Sequence, residues 1–584
     1  MATLARTRQS QHGTVRASLS SAGLICAAVG LGLGLLALGP GLRRGFLLSY
    51  DMVFVPREPF SAALPGLAPP RAVPSDLVIA VASRAVPADI LQKVVLLSIF
   101  VLACSGTAAL LDREPLPARL AAGAFYAWNP YVAERLIIGQ WALLLGYAGL
   151  PWVLRAVLAP DLASRRGAAR LGLALLPAVI GGFAAMAITA LILVPAAVIT
   201  RSARRAAVAL AALAVGSLPW FIPSLLHAVY VDPASVAAFA ARADTPFGSI
   251  GSLLMLGGAW NAQTVPKAYG GAWSVLWLAV VIVALAGYLL IARRHALAGV
   301  SAEVVPPGQH RWRGLGAAAV AGLVIACLGV TAVGRDLLRS AISAWPGFAV
   351  LRDAQQFVAP LALAEAVGFG LAVAAAMNPR TFRTKRAERA RPLGPDAAGM
   401  VLGVLAVLAP VLLLPGLAWG AAGRLRPAWY PAEWLAAARV VDASAAPGSV
   451  LLLPFQTYRT PPWNHGEVVL DPWTRLLSRP LIWNDGTRVG NIELAPDDPR
   501  ARELDGAIHG SGPLTAVLRA AGVRFVLDDT AGPEPNSPQV AARLPGSVVI
   551  IDQPGLTVYQ LPGALSRRST AAASRRLAWA GRSP

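Results

Sequence analysis

Residues 137–170 read IIGQWALLLGYAGLPWVLRAVLAPDLASRRGAAR, an apolar run followed by a basic loop. Positions 137–154 contain no Asp, Glu, Lys or Arg. About 20 such residues in a helix cross a hydrocarbon core of about 30 Å. The loop at 155–170 then sets Arg155, Arg165, Arg166 and Arg170 against Asp161 alone. This alternation recurs over the first 420 residues. It predicts eleven membrane segments, at about 22–40, 91–111, 119–133, 137–154, 171–184, 185–200, 206–223, 272–292, 314–334, 357–377 and 397–418.

Charge orients these segments. Only Gly181-Gly182 divides the fifth from the sixth, and their fusion would leave ten crossings and reverse everything after residue 200. With eleven crossings, loops 1–21, 112–119, 155–170, 201–205, 293–313 and 378–396 together carry +16. Loops 41–90, 134–136, 224–271 and 335–356 carry +2. Lys and Arg accumulate in cytoplasmic loops. The reading is therefore a multi-pass plasma-membrane protein with a cytoplasmic N-terminus and an extracytoplasmic C-terminal part.

Composition agrees. The 584 residues are 56% hydrophobic and 14% charged, with a mean hydropathy of +0.58. A soluble chain would carry roughly 25% charged residues. The net charge of +21 lies at the ends of apolar segments, which argues against nucleic acid as a partner. Cys26, Cys104 and Cys327 all fall in apolar segments without CxxC spacing, so neither a disulfide framework nor a zinc site is expected. Arg6, Arg8 and Arg16 precede the apolar run from Ala22 to Leu38. No small-x-small cleavage site follows clearly, so an uncleaved first helix is expected rather than a signal peptide.

The expected organisation is a cytoplasmic N-terminus at 1–21 and a multi-helix membrane domain at 22–418, with long outer loops at 41–90 and 224–271. An extracytoplasmic α/β domain follows at 419–563, then a disordered basic tail at 564–584 whose arginines can meet anionic lipid. In the α/β part, Ser449 to Phe455 reads as a buried strand. Leu514 to Ala521 reads as a helix and Val523 to Leu527 as a strand. Val548–Ile551 and Leu556–Leu561 form a hairpin about Gln553-Pro554-Gly555. Pro431-Ala432-Glu433-Trp434 opens a helix to about Asp442.

Several polar groups stand out. Asp51 follows Ser49-Tyr50 just beyond the first helix, within the apolar stretch Phe46 to Val55. Partial desolvation would suit it to general-base work, although a loop aspartate that caps a turn fits the same spacing. Ser75 reads as the N-cap of a short interfacial helix through Ala85. Trp128, Asn129, Glu134, Arg135, Gln140 and Trp141 cluster at the second outer turn, where Asn129-Pro130 breaks the helix. Arginine suits phosphate recognition, yet Glu134 and Arg135 read equally as an interfacial ion pair. Loop 224–271 carries His227, Tyr230, Asp232, Arg242, Asp244, Trp260, Asn261, Lys267 and Tyr269. Arg352 and Asp353 lead into the tenth segment, where Glu365 reads as a hydrogen-bonding partner between helices. Beyond the strand at 449–455 comes a polar stretch, Gln456, Tyr458, Arg459, Trp463, Asn464, His465 and Glu467, and loops after strand ends commonly bind ligands; Trp463 and His465 are candidate carbohydrate contacts, or ordinary loop residues. No GxSxG, P-loop or HExxH motif is present in a fitting context.

Ser49-Tyr50-Asp51, Asn129 to Arg135 with Gln140-Trp141, and Pro346-Gly347-Phe348 to Leu351-Arg352-Asp353 together resemble the GT-C superfamily of membrane glycosyltransferases. Within it, the chain looks closest to actinobacterial arabinofuranosyl- and mannosyltransferase-like proteins and the YfhO-like membrane proteins. The resemblance covers roughly residues 20–420. It implies a polyprenyl-phosphate sugar donor, a glycan or glycolipid acceptor, and contact with membrane lipids. It also implies that Asp51 deprotonates the acceptor and that Glu134 is the second-loop acid. Arg135 or Arg352 would meet the lipid phosphate, with Trp128, Asn129, Gln140 and Asp353 as further substrate contacts. The family usually shows two adjacent acids or a D-x-D pattern in the first loop, whereas Asp51 stands alone. A divalent metal is therefore left open. Two other classes remain, a lipid or polysaccharide transporter and a non-catalytic envelope scaffold. Deep charges in several helices would mark the transporter, and dispensability of Asp51 the scaffold.

Overall fold

A computed structural model describes residues 21–63, 72–225, 231–297, 309–377, 397–529 and 540–563. The N-terminal arginines, His227, Tyr230, the basic loop 378–396 and the basic tail lie outside the described residues.

The protein is a multi-pass helical membrane protein with a small C-terminal sheet region. Helices occupy all eleven expected segments, among them Ser21–Leu38, Ala88–Leu110, Ala203–Leu225 and Ala359–Met377. Length and apolar composition alone qualify five as spans, or up to seven if each of two bent pairs is one span. The others are shorter or broken. The third segment, for example, ends at Ala127 and restarts as Pro130–Ile137.

The glycine pair resolves the fifth and sixth segments. Helices Arg165–Gly181 and Phe183–Ile199 are separate, and Gly182 sits between them at φ 77°. A Cβ on Gly181 would lie 2.3 Å from Ala142 O, and one on Gly146 would lie 2.5 Å from Ala185. A Cβ on Gly149 would contact Pro177 at 3.2 Å. Moving away from the glycines in either direction thus descends the same neighbour, Trp141–Val157. The pair forms a helical hairpin, not one long helix.

Ala359–Met377 is the central helix, buried on nearly every side. Small residues let its neighbours approach, as is usual between membrane helices. A Cβ on Gly368 would fall 2.0 Å from Ala284 O, and one on Gly370 would fall 2.8 Å from Ala118 O. Glu365, on this helix, differs from expectation. It is fully buried, and neither carboxylate oxygen has a hydrogen-bond partner among the described residues.

The C-terminal sheet uses the expected apolar runs. In chain order, the strands are β1 (Phe46–Leu47), β2 (Pro427–Ala428), β3 (Ser449–Leu453), β4 (Tyr458–Arg459), β5 (Val469–Leu470), β6 (Leu481–Ile482), β7 (Arg488–Val489), β8 (Ile492–Glu493), β9 (Val523–Asp528), β10 (Val548–Gln553) and β11 (Leu556–Gln560). The main sheet runs β10-β11-β9-β3-β6, with β3 parallel to both β9 and β6. Leu451, Leu518 and Val526 pack in its core.

This region does not stand apart from the loop at 41–90. β1 pairs antiparallel with β2, Tyr430 Oη donates to Phe54 O at 2.9 Å, and Asn464 Nδ2 donates to Leu48 O at 3.2 Å. Ser75 is not an N-cap. It is the first residue of helix Ser75–Ala82, preceded by Pro74, and its hydroxyl donates to Ala72 O at 3.1 Å.

Candidate functional site

A cavity of about 480 Å³ opens at one end of the helix bundle. Asp51, Gln140, Trp141, Arg352 and Asp353 line it, and Thr457, Tyr458 and Arg475 close it from the C-terminal region. Ligand cavities commonly measure about 300–1,000 Å³.

Asp51 sits at the tip of a tight turn. Met52 N donates to Ser49 O at 2.9 Å, and Tyr50 adopts φ 44°, a left-handed conformation costly for a non-glycine residue. Neighbours hold that strained turn in place. Ser49 Oγ donates to Ile137 O at 2.6 Å, Asp51 N to Ile138 O at 3.1 Å, and Tyr50 N to Val468 O at 2.7 Å. Gly139 lies directly beneath. Its φ is 84°, and a Cβ there would fall 2.2 Å from Met52 N and 2.3 Å from Ser49 O. Gly139→Ala is expected to cost at least about 1–2 kcal/mol from the left-handed backbone alone. It should also push the Asp51 turn off its seat. A thermal unfolding midpoint equal to the wild type would refute that seating.

Arg352 and Asp353 also line the cavity. The Arg352 guanidinium lies 5.0 Å from the Phe239 ring centroid, and Phe239 meets Trp260 edge-on at 4.8 Å. Behind them is Arg135, which is 1% exposed. Its Nη1 donates to Asp353 Oδ2 at 2.7 Å and to Gln140 Oε1 at 2.5 Å, and its Nη2 to Asp353 Oδ1 at 3.0 Å and to Gln355 Oε1. This bidentate pair orients Asp353 toward the cavity. Glu134 is buried beside it. Glu134 Oε2 accepts from Ala259 N at 3.3 Å and from Gln355 Nε2 at 3.4 Å.

The expected residues therefore separate into three groups. Asp51, Gln140, Arg352 and Asp353 share the cavity. Glu134 and Arg135, expected at the outer surface, are covered by the 257–259 and 353–355 segments. Asn129 and Trp128 also lie behind the cavity. Asn129 Oδ1 caps helix Pro130–Ile137 at Val132 N, and its Nδ2 donates to Phe125 O, Tyr126 O and Tyr147 Oη. Trp128 Nε1 donates to Leu414 O at 3.0 Å. Trp463 and His465 lie elsewhere. Trp463 packs between Tyr430 and Trp434, and His465 Nε2 contacts Pro427 O at 3.0 Å.

Arg475 had no signal in the sequence. It donates to Asp76 Oδ2 at 2.9 Å and lies 4.0 Å from Glu58. Burial, reinforced by the Asp76 charge and opposed by Arg475, pushes the Glu58 carboxyl up to about 9. The divalent metal left open by the sequence finds no group of three His, Cys, Asp or Glu among the described residues.

The chain shares its fold with a solved membrane arabinofuranosyltransferase, in keeping with the resemblance read from the sequence. The arabinofuranosyltransferase AftD from Mycobacteria superposes with a TM-score of 0.58 at 17% identity, covering 93% of this chain and 40% of that one. A mutant form of AftD gives a TM-score of 0.57, also at 17% identity, over 93% of this chain and 42% of that one. An oligosaccharyltransferase from Archaeoglobus fulgidus, 12% identical, gives a TM-score of 0.31 over 93% of this chain and 74% of that one, too low to carry an argument. This chain thus spans well under half the length of AftD. No family model and no curated protein matches it.

Proposed function

We propose that this protein is a membrane glycosyltransferase that moves a pentose or hexose from a polyprenyl-phosphate donor to a cell-envelope glycan or glycolipid. The chief support is that Asp51 and Arg352, from opposite ends of the helical region, line the same cavity. The fold shared with AftD supports the class and leaves the sugar open.

In this reading, the lipid holds the donor phosphate at the bundle end. Asp51 takes the proton of the acceptor hydroxyl. The acceptor oxygen bonds to the anomeric carbon as the bond from that carbon to the phosphate oxygen breaks. The electron pair leaves with the phosphate, whose charge Arg352 stabilises. A single displacement of this kind inverts the anomeric centre. Arg135 acts behind the wall through Asp353.

The same reading sets eleven crossings, a cytoplasmic N-terminus, and the cavity with the C-terminal region on the outer face. The hairpin at Gly181-Gly182 and the loop charge asymmetry support it. Right-side-out and inverted vesicles carrying the wild-type protein test both parts, given radiolabelled polyprenyl-phosphate sugars and an envelope acceptor fraction. Transfer is expected in right-side-out vesicles only. No transfer from any donor in either orientation overturns the transferase reading. Transfer confined to inverted vesicles overturns the side assignment.

A further inference from the structure

Asp51 is met across the cavity wall by a residue from the far end of the chain. Tyr458 Oη donates to Asp51 Oδ1 at 2.8 Å, a contact between positions 407 residues apart. The surroundings fix that contact from both sides. β4 pairs with β5, which sets Tyr458 opposite Leu470. Leu470 N in turn donates to Tyr50 O at 2.9 Å, and Tyr50 N donates to Val468 O. The Tyr50 and Tyr458 rings meet at 5.7 Å and 66°. The strand that carries the hydroxyl is thus bonded to the turn that carries the carboxylate, and both residues line the cavity.

We propose that Tyr458 is a positioning residue for sugar transfer, its hydroxyl fixing the rotation of the Asp51 carboxylate through Oδ1 so that the base meets the acceptor hydroxyl in one orientation. The proposal rests on the reading of Asp51 as the base. It also gives the C-terminal region a part in the reaction, because the catalytic turn is incomplete without it. General-base catalysis depends on such alignment, and a misplacement of about 1 Å can cost about 10²-fold.

Tyr458→Phe keeps the ring, the strand pairing and the edge contact with Tyr50, and removes only the hydroxyl. It should lower kcat about 10-fold with KM changed less than about twofold, while the protein stays folded and loses at most the stability contributed by one hydrogen bond. A donated hydrogen bond favours the ionised carboxylate. Its loss should therefore move the acid limb of the kcat profile to higher pH by about one unit. An infrared pH titration gives a readout independent of turnover, with the Asp51 carboxyl band isolated by subtracting the Asp51→Asn spectrum. The midpoint of that band should rise in Tyr458→Phe by a similar amount. An unmoved midpoint, or wild-type kcat with a wild-type pH profile, overturns the proposal. Failure of the underlying reading looks different: Asp51→Asn would retain transfer while the infrared midpoint still moved.

Discussion

Asp51→Asn is expected to reduce sugar transfer by about 10²–10⁴-fold, the range that a positioned general base contributes. Folding should survive the change. The hydrogen bond from position 51 to Ile138 O is made by the main chain, and an asparagine amide oxygen can still accept from Tyr458. Asn keeps the size of Asp but cannot take a proton at neutral pH, so the loss should fall on kcat with little effect on donor KM. Asp51→Ala should abolish transfer to the same extent and also lower the unfolding temperature, because Tyr458 loses this acceptor. Asp353, next to Arg352 in the chain and lining the same cavity, provides the internal comparison. If Asp51→Asn retains transfer within about tenfold of the wild type, Asp51 is not the base. If Asp353→Asn alone abolishes turnover, Asp353 is the base instead.

The helical part was legible because membrane segments carry their own signal. An apolar run of sufficient length and an arginine at its end are local features, so positions such as Ser21–Leu38 and Ala359–Met377 agree with the sequence to within a few residues. Glycine could be read only in part. Gly181-Gly182 signalled a break, but its hairpin geometry depends on Ala142 and Ala185. The cavity was legible only where its residues follow helix ends: Asp51, Gln140, Arg352 and Asp353. What the sequence could not distinguish is a polar residue that faces the cavity from one that serves the wall. Asn129 and Trp128 share a motif with Gln140, yet they spend their hydrogen bonds on a helix cap and on Leu414 O. Trp463 had the residue type for stacking on a sugar, but Tyr430 and Trp434 already flank it. Tyr458 lay in a polar stretch that the sequence marked for ligand binding and Arg475 had no signal, but the contacts of both with the site depend on long-range approach of the C-terminal region to the loop at 41–90. No local pattern encodes such an approach.

Asp353→Ala is expected to destabilise the protein by roughly 3 kcal/mol, because removing one partner of a buried ion pair leaves an uncompensated charge that typically costs about 3–5 kcal/mol. The lower end applies, since the Asp353 side chain is 19% exposed while that of Arg135 is 1% exposed. Among the described residues, the Arg135 donors would keep Gln140 and Gln355 as direct acceptors, both of them neutral. Arg135→Met placed on Asp353→Ala should recover most of the loss, because an apolar side chain of similar volume tolerates that burial. A double-mutant cycle then reads the coupling directly. The same variants decide which arginine meets the donor phosphate. If Arg352 does, Asp353→Ala lowers stability and leaves the donor KM no tighter than in the wild type. If Arg135 does, releasing it from Asp353 should tighten donor binding. An unfolding free energy within about 0.5 kcal/mol of the wild type for Asp353→Ala would mean that Arg135 is not held by Asp353 in the membrane. In that case the wall would have to be supported by Glu134, the other acid beside it, which accepts from Ala259 N and Gln355.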